Sequence, residues 1–294
     1  MGNQSIESVV VIATQKTWLE GAALEQLKTT SQLPGMRFVA GMPDLHPGRG
    51  YPVGASFFSE DVAYPALVGN DIGCGMAFHQ LDLLKHKFSG QRLAEKLGNI
   101  DGALPPEMLE AIPQKWQESS HQKSLGTIGG GNHFAEVQQI EELYNSDMGL
   151  SKKHLYLLVH SGSRGLGEEV LRSHIDCFNH KGVSGTNLEK YLEKHNNALE
   201  YAKLNRDLIA KRMLKNWKTQ ATQILDIHHN FVEPAIIQGV SGYLHRKGAT
   251  PSNQGLVVIP GSRGDYSYLV KPIASEVGLY SLAHGAGRKW QRSG

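Results

Sequence analysis

Cysteine is scarce in this chain. Cys74 and Cys177 are the only two among 294 residues, too few for the disulfide framework of a secreted domain. No Cys-x-x-Cys pair and no His-Glu-x-x-His run occurs, so the common zinc modules are absent. Walker-type phosphate loops, internal repeats and low-complexity tracts are missing too. Net charge is small: +2 at pH 7, with a pI near 8.4. That balance does not announce a nucleic-acid binder, although a local basic patch is compatible with it. No apolar run approaches the roughly 18 residues of a membrane span. The N-terminus has no signal-peptide core, and Ile6 stands where a myristoylation signal wants Ser or Thr. The expectation is a cytoplasmic protein with no membrane partner.

Glycine, in contrast, is abundant, with 33 residues gathered in short motifs. Clustered glycine signals special backbone turns rather than disorder. Hydrophobic content of 40% and charged content of 20% suit a globular core. Ser8–Thr14 reads as a strand and Trp18–Thr29 as a helix with Leu19, Ala22, Ala23 and Leu27 inward. From Met36 to Met76 the chain reads as short extended runs, with a loop at Met42–Gly50 marked by Pro and Gly. Leu155–Val159 reads as a strand ending at His160. Asn187–Trp217 reads as a long helix burying Leu188, Leu192, Leu199, Leu208 and Ile209. Gln223–His228 and Leu256–Ile259 read as further strands. With no convincing linker, the fold class is α+β: a single domain of mixed α and β structure over residues 1–294.

The motifs fall where strands end and loops begin, the usual place for chemistry. Cys74 lies in Val68-Gly69-Asn70-Asp71-Ile72-Gly73-Cys74-Gly75-Met76, three residues after an acid and between glycines. His133 follows Gly131-Asn132, His160 opens His160-Ser161-Gly162-Ser163-Arg164-Gly165, and His229 precedes Asn230. A lone histidine or cysteine is more often a core residue than a ligand. Five metal-capable residues (Asp71, Cys74, His133, His160, His229), each beside Gly, Asn or Ser, are hard to attribute to packing. Imidazole and carboxylate suit Mn²⁺, Fe²⁺, Co²⁺ or Zn²⁺, and a thiolate favours softer ions. A thiolate that bridges two ions would serve phosphoryl chemistry.

Other positions keep two readings each. Asn132 and Asn230 either orient ligands through amide hydrogen bonds or serve as turn residues. Arg164 and Arg288 follow His160 and His284 by four residues in Gly-rich loops; they are anion holders or solvated surface residues. The Ile259–Ser267 segment resembles a phosphate- or base-binding loop. Lys203, Arg206, Lys211, Arg212 and Lys215 on the long helix read as a solvated face more readily than as an RNA contact.

Together Asp71-Ile72-Gly73-Cys74-Gly75-Met76, Gly131-Asn132-His133-Phe134-Ala135-Glu136, His160-Ser161-Gly162-Ser163-Arg164-Gly165, His229-Asn230, Arg246-Lys247-Gly248-Ala249, Ile259-Pro260-Gly261-Ser262 and His284-Gly285-Ala286-Gly287-Arg288 resemble the RtcB family of RNA ligases. They stand in the family's order from about residue 40 onward. The Gly41–Pro52 segment looks most like the subgroup associated with the release factor homologue PrfH, which implies a functional link to that factor.

The resemblance implies an RtcB-like domain with a central metal-binding cleft, and a GTP- and Mn²⁺-dependent ligase. Such an enzyme joins RNA 3′-phosphate or 2′,3′-cyclic phosphate ends to 5′-hydroxyl ends, in RNA repair or tRNA processing, with tRNA or ribosomal RNA as substrate. Asp71, Cys74 and His133 would hold one Mn²⁺; Cys74, His160 and His229 would hold the second. His284 would become guanylylated, and Asn132, Phe134, Glu136, Ser262, Ser267 and Arg288 would line the guanylate pocket. Relatives continue beyond the nucleophile motif to a lysine that contacts guanine, whereas this sequence stops ten residues after His284. The expectation is therefore a C-terminally truncated chain with an incomplete guanine end. The rival readings are a metal phosphoesterase that opens cyclic phosphates without ligating, an inactive RNA- or ribosome-binding protein, and, least well supported, a Cys–His hydrolase.

Overall fold

The computed structural model describes residues 8–87, 89–145, 148–262 and 264–287. The helices are α1 (Gly21–Ser31), α2 (Gly90–Leu97), α3 (Pro106–Leu109), α4 (Gln114–Gln117), α5 (Gly165–Phe178) and α6 (Gly185–Trp217). The strands are β1 (Val9–Val11), β2 (Met36–His46), β3 (Val53–Ser59), β4 (Gly75–Leu84), β5 (Phe134–Gln139), β6 (His154–Ser161), β7 (Ala221–His228), β8 (Asn230–Ile237), β9 (Val240–Lys247), β10 (Ala249–Pro251), β11 (Val257–Ile259), β12 (Tyr268–Val270) and β13 (Ser281–Ala283). The fold is α+β. The chain divides into two compact units: residues up to Ile72 with Gly167–Asn196 and the part from Ile227 on, and Gly73–Leu166 with Asn197–Asp226. No helix among the described residues is long and apolar enough to cross a membrane.

The first unit is built on the sheet β1-β2-β3-β9-β8, with β1 parallel to β2 and the other pairs antiparallel. Side chains alternate across it, as strand geometry requires. Val39 and Phe57 join Leu27 of α1 and Leu67 in one core cluster, while Ala40 and Phe58 join Met42, Leu244 and Leu279 in another. The loop expected at Met42–Gly50 is in part strand, because β2 runs on to His46. Pro43 is tolerated there because the β2–β3 register shifts between Gly41 and His46, and a proline lacks only a ladder donor. β8 and β9 form a tight hairpin around Gln238 and Gly239, both at positive φ (49° and 78°), the geometry a two-residue hairpin turn demands. Its register sets Asn230 opposite Lys247.

The second unit carries the sheet β5-β6-β4-β7. Ala77, Leu81 and Leu83 of β4 and Leu155, Leu157 and Val159 of β6 pack on Leu93, Ile209, Met213 and Trp217. Trp217 also donates its indole N–H to Leu93 O at 3.0 Å. The long helix α6 exists because its buried residues recur at three and four: Leu188, Tyr191, His195, Ala198, Ala202, Asn205, Ile209 and Met213. It stops at Lys218, which turns to φ 54°. There Lys218 N bonds to Lys215 O and Thr219 N to Leu214 O, a Schellman-type C-cap.

Candidate active site

In the second unit the strand register gathers the thiol and two imidazoles. Gly75 pairs with Ser161 and Met76 with His160, while Phe134 pairs with His160 from the other side. Cys74 and His133, each one residue ahead of a strand, are therefore delivered to the same sheet end as His160. Cys74 Sγ lies 3.4 Å from His133 Nε2 and 3.2 Å from His160 Nε2. Cys74 and His160 are buried, with 2% and 3% exposure. His160 Nδ1 donates to Asn132 O at 2.9 Å; holding the proton there turns the Nε2 lone pair toward Cys74. The Phe134 ring stands 5.2 Å from the His160 ring and encloses its other side. Gly73 makes the turn possible: it sits at φ +75°, and a Cβ there would meet Ala202 Cβ at 2.7 Å.

This donor set fits a divalent transition metal. One sulfur and two imidazole nitrogens converge with their lone pairs inward, and the ligating tautomer of His160 is fixed by a backbone carbonyl. Cys74 and Cys177 are both thiols, with no disulfide.

In the first unit a second group surrounds His284. Its Nδ1 lies 2.8 Å from Asp44 Oδ2, with the carboxylate only 3% exposed. The same oxygen accepts the Gly285 N–H at 3.1 Å, and Ala286 N donates to Pro260 O at 3.1 Å. Nδ1 stands at ion-pair distance from the carboxylate but without the alignment of a hydrogen bond; a small ring rotation that made the bond would leave Nε2 as the nitrogen with a lone pair to offer. The His229 ring is 4.9 Å from the His284 ring, centroid to centroid. Asn230 acts through the backbone: Oδ1 accepts the Gly248 N–H at 2.7 Å and Nδ2 donates to Asp71 O at 3.2 Å. Gly248 sits at φ +61°, and a Cβ on it would come within 2.8 Å of His284 Cε1. Beside it, burial pushes the Lys247 ammonium down to about 8.

The remaining sequence candidates fare unevenly. Asn132 and Glu136 are exposed, with Glu136 Oε1 accepting from Gln138 Nε2 at 2.8 Å. Ser262 is exposed, and Ser267 Oγ accepts the Gly261 N–H at 3.2 Å. Arg288 lies outside the described residues. Arg164 adopts φ 56° and rests on Gly129, where a Cβ would meet its Nη1 at 1.7 Å. Its Nε is buried with no hydrogen-bond partner, a setting that suits an anion.

The reading of five α6 cations as one solvated face is corrected. Lys203, Lys211 and Lys215 are exposed, and the latter two pair with Asp207 and Glu107. Arg206 and Arg212 are buried. Arg212 Nη1 donates to Gly102 O at 2.8 Å and Gly126 O at 2.9 Å. Sequence reasoning also gave no role to Asp44. Its only signal was its place in the quoted Pro-Asp-Leu-His-Pro segment.

Comparison with known proteins places these motifs. A family model described as "tRNA-splicing ligase RtcB" matches residues 26–117 and 100–294. The chain is 50% identical to "RNA-splicing ligase RtcB2" of Escherichia coli, over 98% of this chain and 78% of that protein. It is 28% identical to "RNA-splicing ligase RtcB" of Escherichia coli K12, over 96% of this chain and 82% of the relative. A "tRNA-splicing ligase RtcB" of Nanoarchaeum equitans is 29% identical, over 93% and 78%. With the family model spanning almost the whole chain and a half-identical relative aligned over 98% of it, the chain belongs to the RtcB family.

Proposed function

We propose that this protein is a GTP- and Mn²⁺-dependent RNA ligase. It seals 2′,3′-cyclic phosphate or 3′-phosphate RNA ends to 5′-hydroxyl ends, in cytoplasmic RNA repair or tRNA splicing. The observation that carries the reading is the convergence of Cys74 Sγ on His133 Nε2 and His160 Nε2 at 3.4 and 3.2 Å. The His284–Asp44 contact at 2.8 Å supports it independently. In this reading residues 1–294 are a single catalytic domain. Asp71, Cys74 and His133 would hold one Mn²⁺, and Cys74, His160 and His229 would hold the other. Manganese bound there withdraws charge from phosphate oxygens.

The protein's own part begins with Asp44, whose carboxylate beside Nδ1 would favour the His284 tautomer protonated there. Nε2 then attacks the α-phosphorus of GTP, the bond to the β-phosphate oxygen breaks, and pyrophosphate leaves. The His284 phosphoramidate passes guanylate to an RNA 3′-phosphate oxygen, any cyclic phosphate having first been opened by water. The RNA 5′-hydroxyl attacks the activated phosphorus and GMP departs. Arg164 offers its guanidinium to a phosphate. Asn132, Phe134, Glu136, Ser262, Ser267 and Arg288 line the guanylate pocket in this reading. The PrfH-associated subgroup and its functional link to a release factor are part of the same proposal.

The test is incubation with α-³²P-GTP and Mn²⁺. The expected result is an acid-labile label on the protein that His284→Ala abolishes, together with joining of 3′-phosphate and 5′-hydroxyl RNA. Opening of cyclic phosphate without label would refute ligation and select the phosphoesterase reading. RNA binding with neither activity would select the inactive binding protein.

A further inference from the structure

Arg206 is fully buried on α6 and reaches three chain segments at once. Its Nη1 donates to Gly73 O at 2.7 Å and to Ser161 O at 2.8 Å. Its Nε and Nη2 donate to Asp226 Oδ1 at 2.9 and 2.6 Å, and the Asp226 side chain is 3% exposed. Gly73 directly precedes Cys74, Ser161 directly follows His160, and Asp226 stands three residues ahead of His229 in the chain. The neighbour of Arg206 on the helix, Asn205, adds to the same end of the sheet. Its Nδ2 donates to Ser161 Oγ at 3.0 Å, and its Oδ1 accepts the Gly126 N–H at 2.8 Å.

We infer that Arg206, held by Asp226, is the positioning residue of the metal centre. It fixes the separation of the Cys74 sulfur from the His160 nitrogen by clamping the peptide groups beside both. The chemistry demands arginine. A planar guanidinium presents donors in three directions from one rigid group, whereas an ammonium is a point charge on a flexible stem. Carbonyls so bound are restrained from rotating, and the Gly73–Cys74 peptide is tied to the Ser161–Gly162 peptide, the next but one after His160. The Asp226 carboxylate offsets the charge, which allows the group to sit in a core without water. Arg206 acts on Cys74 and His160 through the backbone, at Gly73 O and Ser161 O. Its effect is the preorganisation that outer groups give to metal ligands, commonly worth a 10- to 100-fold change in metal affinity.

The inference rests on the reading of Cys74 and His160 as metal ligands, and the experiment separates the two. Full-length apo protein is titrated with Co²⁺, following the thiolate-to-cobalt charge-transfer absorption, and the thermal midpoint of the apo form is recorded in parallel. Wild type is expected to develop the band. Arg206→Lys, which keeps the charge but cannot clamp both carbonyls and Asp226, is expected to bind Co²⁺ about 10- to 100-fold more weakly with an altered band. Asp226→Asn, of the same size, is expected to weaken binding in the same direction, and it stands in should Arg206→Lys not fold. Leu93→Ala, in the apolar core of the same unit, is the control: destabilised, with wild-type Co²⁺ affinity. A wild-type protein with no thiolate band would overturn the metal reading itself. A wild-type band with unchanged affinity in the foldable Arg206 and Asp226 variants would overturn the positioning role alone. Equal loss in Leu93→Ala would do the same by showing that global stability sets the affinity.

Discussion

Gly248→Ala is the most informative single perturbation of His284, the proposed nucleophile. A methyl at residue 248 would stand 2.8 Å from His284 Cε1 and 2.6 Å from Val53 Cγ1. Ordinary Cβ contacts begin near 3.4 Å, so the His284 ring must yield by the difference between 3.4 and 2.8 Å, 0.6 Å. Val53 lies within a paired strand and Gly54 N is 3.1 Å from the same point, so the ring is the part that gives way. Displacement of a reacting group by about 1 Å costs on the order of 100-fold in rate. Self-guanylylation should therefore fall by roughly 10- to 100-fold. The positive φ of +61° adds a backbone cost of about 1–2 kcal/mol in stability. That second effect needs its own control, which Gly239→Ala provides. Gly239 sits at φ +78° in the β8–β9 turn, and its added Cβ meets nothing within 4 Å. It should lower the thermal midpoint without slowing the chemistry. The assay is the rate of label transfer from α-³²P-GTP to the protein at saturating Mn²⁺, well below both midpoints. Wild-type labelling by Gly248→Ala would refute the steric argument. Equal slowing in Gly239→Ala would show that backbone strain alone is responsible.

Three other outcomes follow from the geometry. Asp44→Asn removes the carboxylate 2.8 Å from His284 Nδ1 and should slow labelling by at least about 100-fold, as loss of an orienting carboxylate does elsewhere; single-turnover labelling within twofold of wild type would contradict it. Gly73→Ala drives a Cβ to 2.7 Å from Ala202 Cβ at φ +75° and should weaken Co²⁺ binding by on the order of tenfold or more, read by the same charge-transfer titration. Acid should destabilise the first unit through His195 and His245, whose imidazoles burial holds down at about 4. Both accept backbone N–H groups at Nε2, from Val232 at 3.1 Å and Tyr64 at 2.9 Å, which a protonated ring cannot do. The unfolded chain titrates these groups near pH 6.5, so their stabilisation is complete above that value and is lost as pH falls toward about 4. The loss is on the order of 3 kcal/mol per histidine, and equal urea midpoints at pH 7 and 4.5 would rule it out.

Much of the candidate site was legible because its metal-capable residues are concentrated in short runs. Cys74, His133 and His160 each stand next to glycine, asparagine or serine, and each lies at or beside a strand end in the structure. The α6 pattern was readable for a different reason: thirty-three helical residues give the period of 3.6 many chances to show. Short strands gave no such opportunity. β10, β11, β12 and β13 have three residues each, too few for an alternation to be told from chance. The extent of β2 was misjudged because Pro43 and Gly48 usually end strands, and the register shift that admits the proline is a property of its partner β3, invisible in local sequence.

The misreading of Arg206 has a more instructive origin. Five cations within thirteen positions (203–215) were treated as one class because they share a charge. Their phases on the helix divide them. The buried stripe of α6 runs Tyr191, His195, Ala198, Ala202, Asn205, Ile209, Met213, and Arg206 is four residues after Ala202 and three before Ile209. It falls on that stripe, as Asn205 does, whereas Lys203, Lys211 and Lys215 fall off it and are exposed. A charge placed on an apolar stripe cannot be left bare, since an unpaired ion without water is too costly to keep. Its presence there therefore required a buried carboxylate and peptide oxygens nearby, which Asp226, Gly73 and Ser161 supply. Phase, rather than charge, was the signal, and the same reasoning separates structural from solvated cations on any amphipathic helix long enough to show its period.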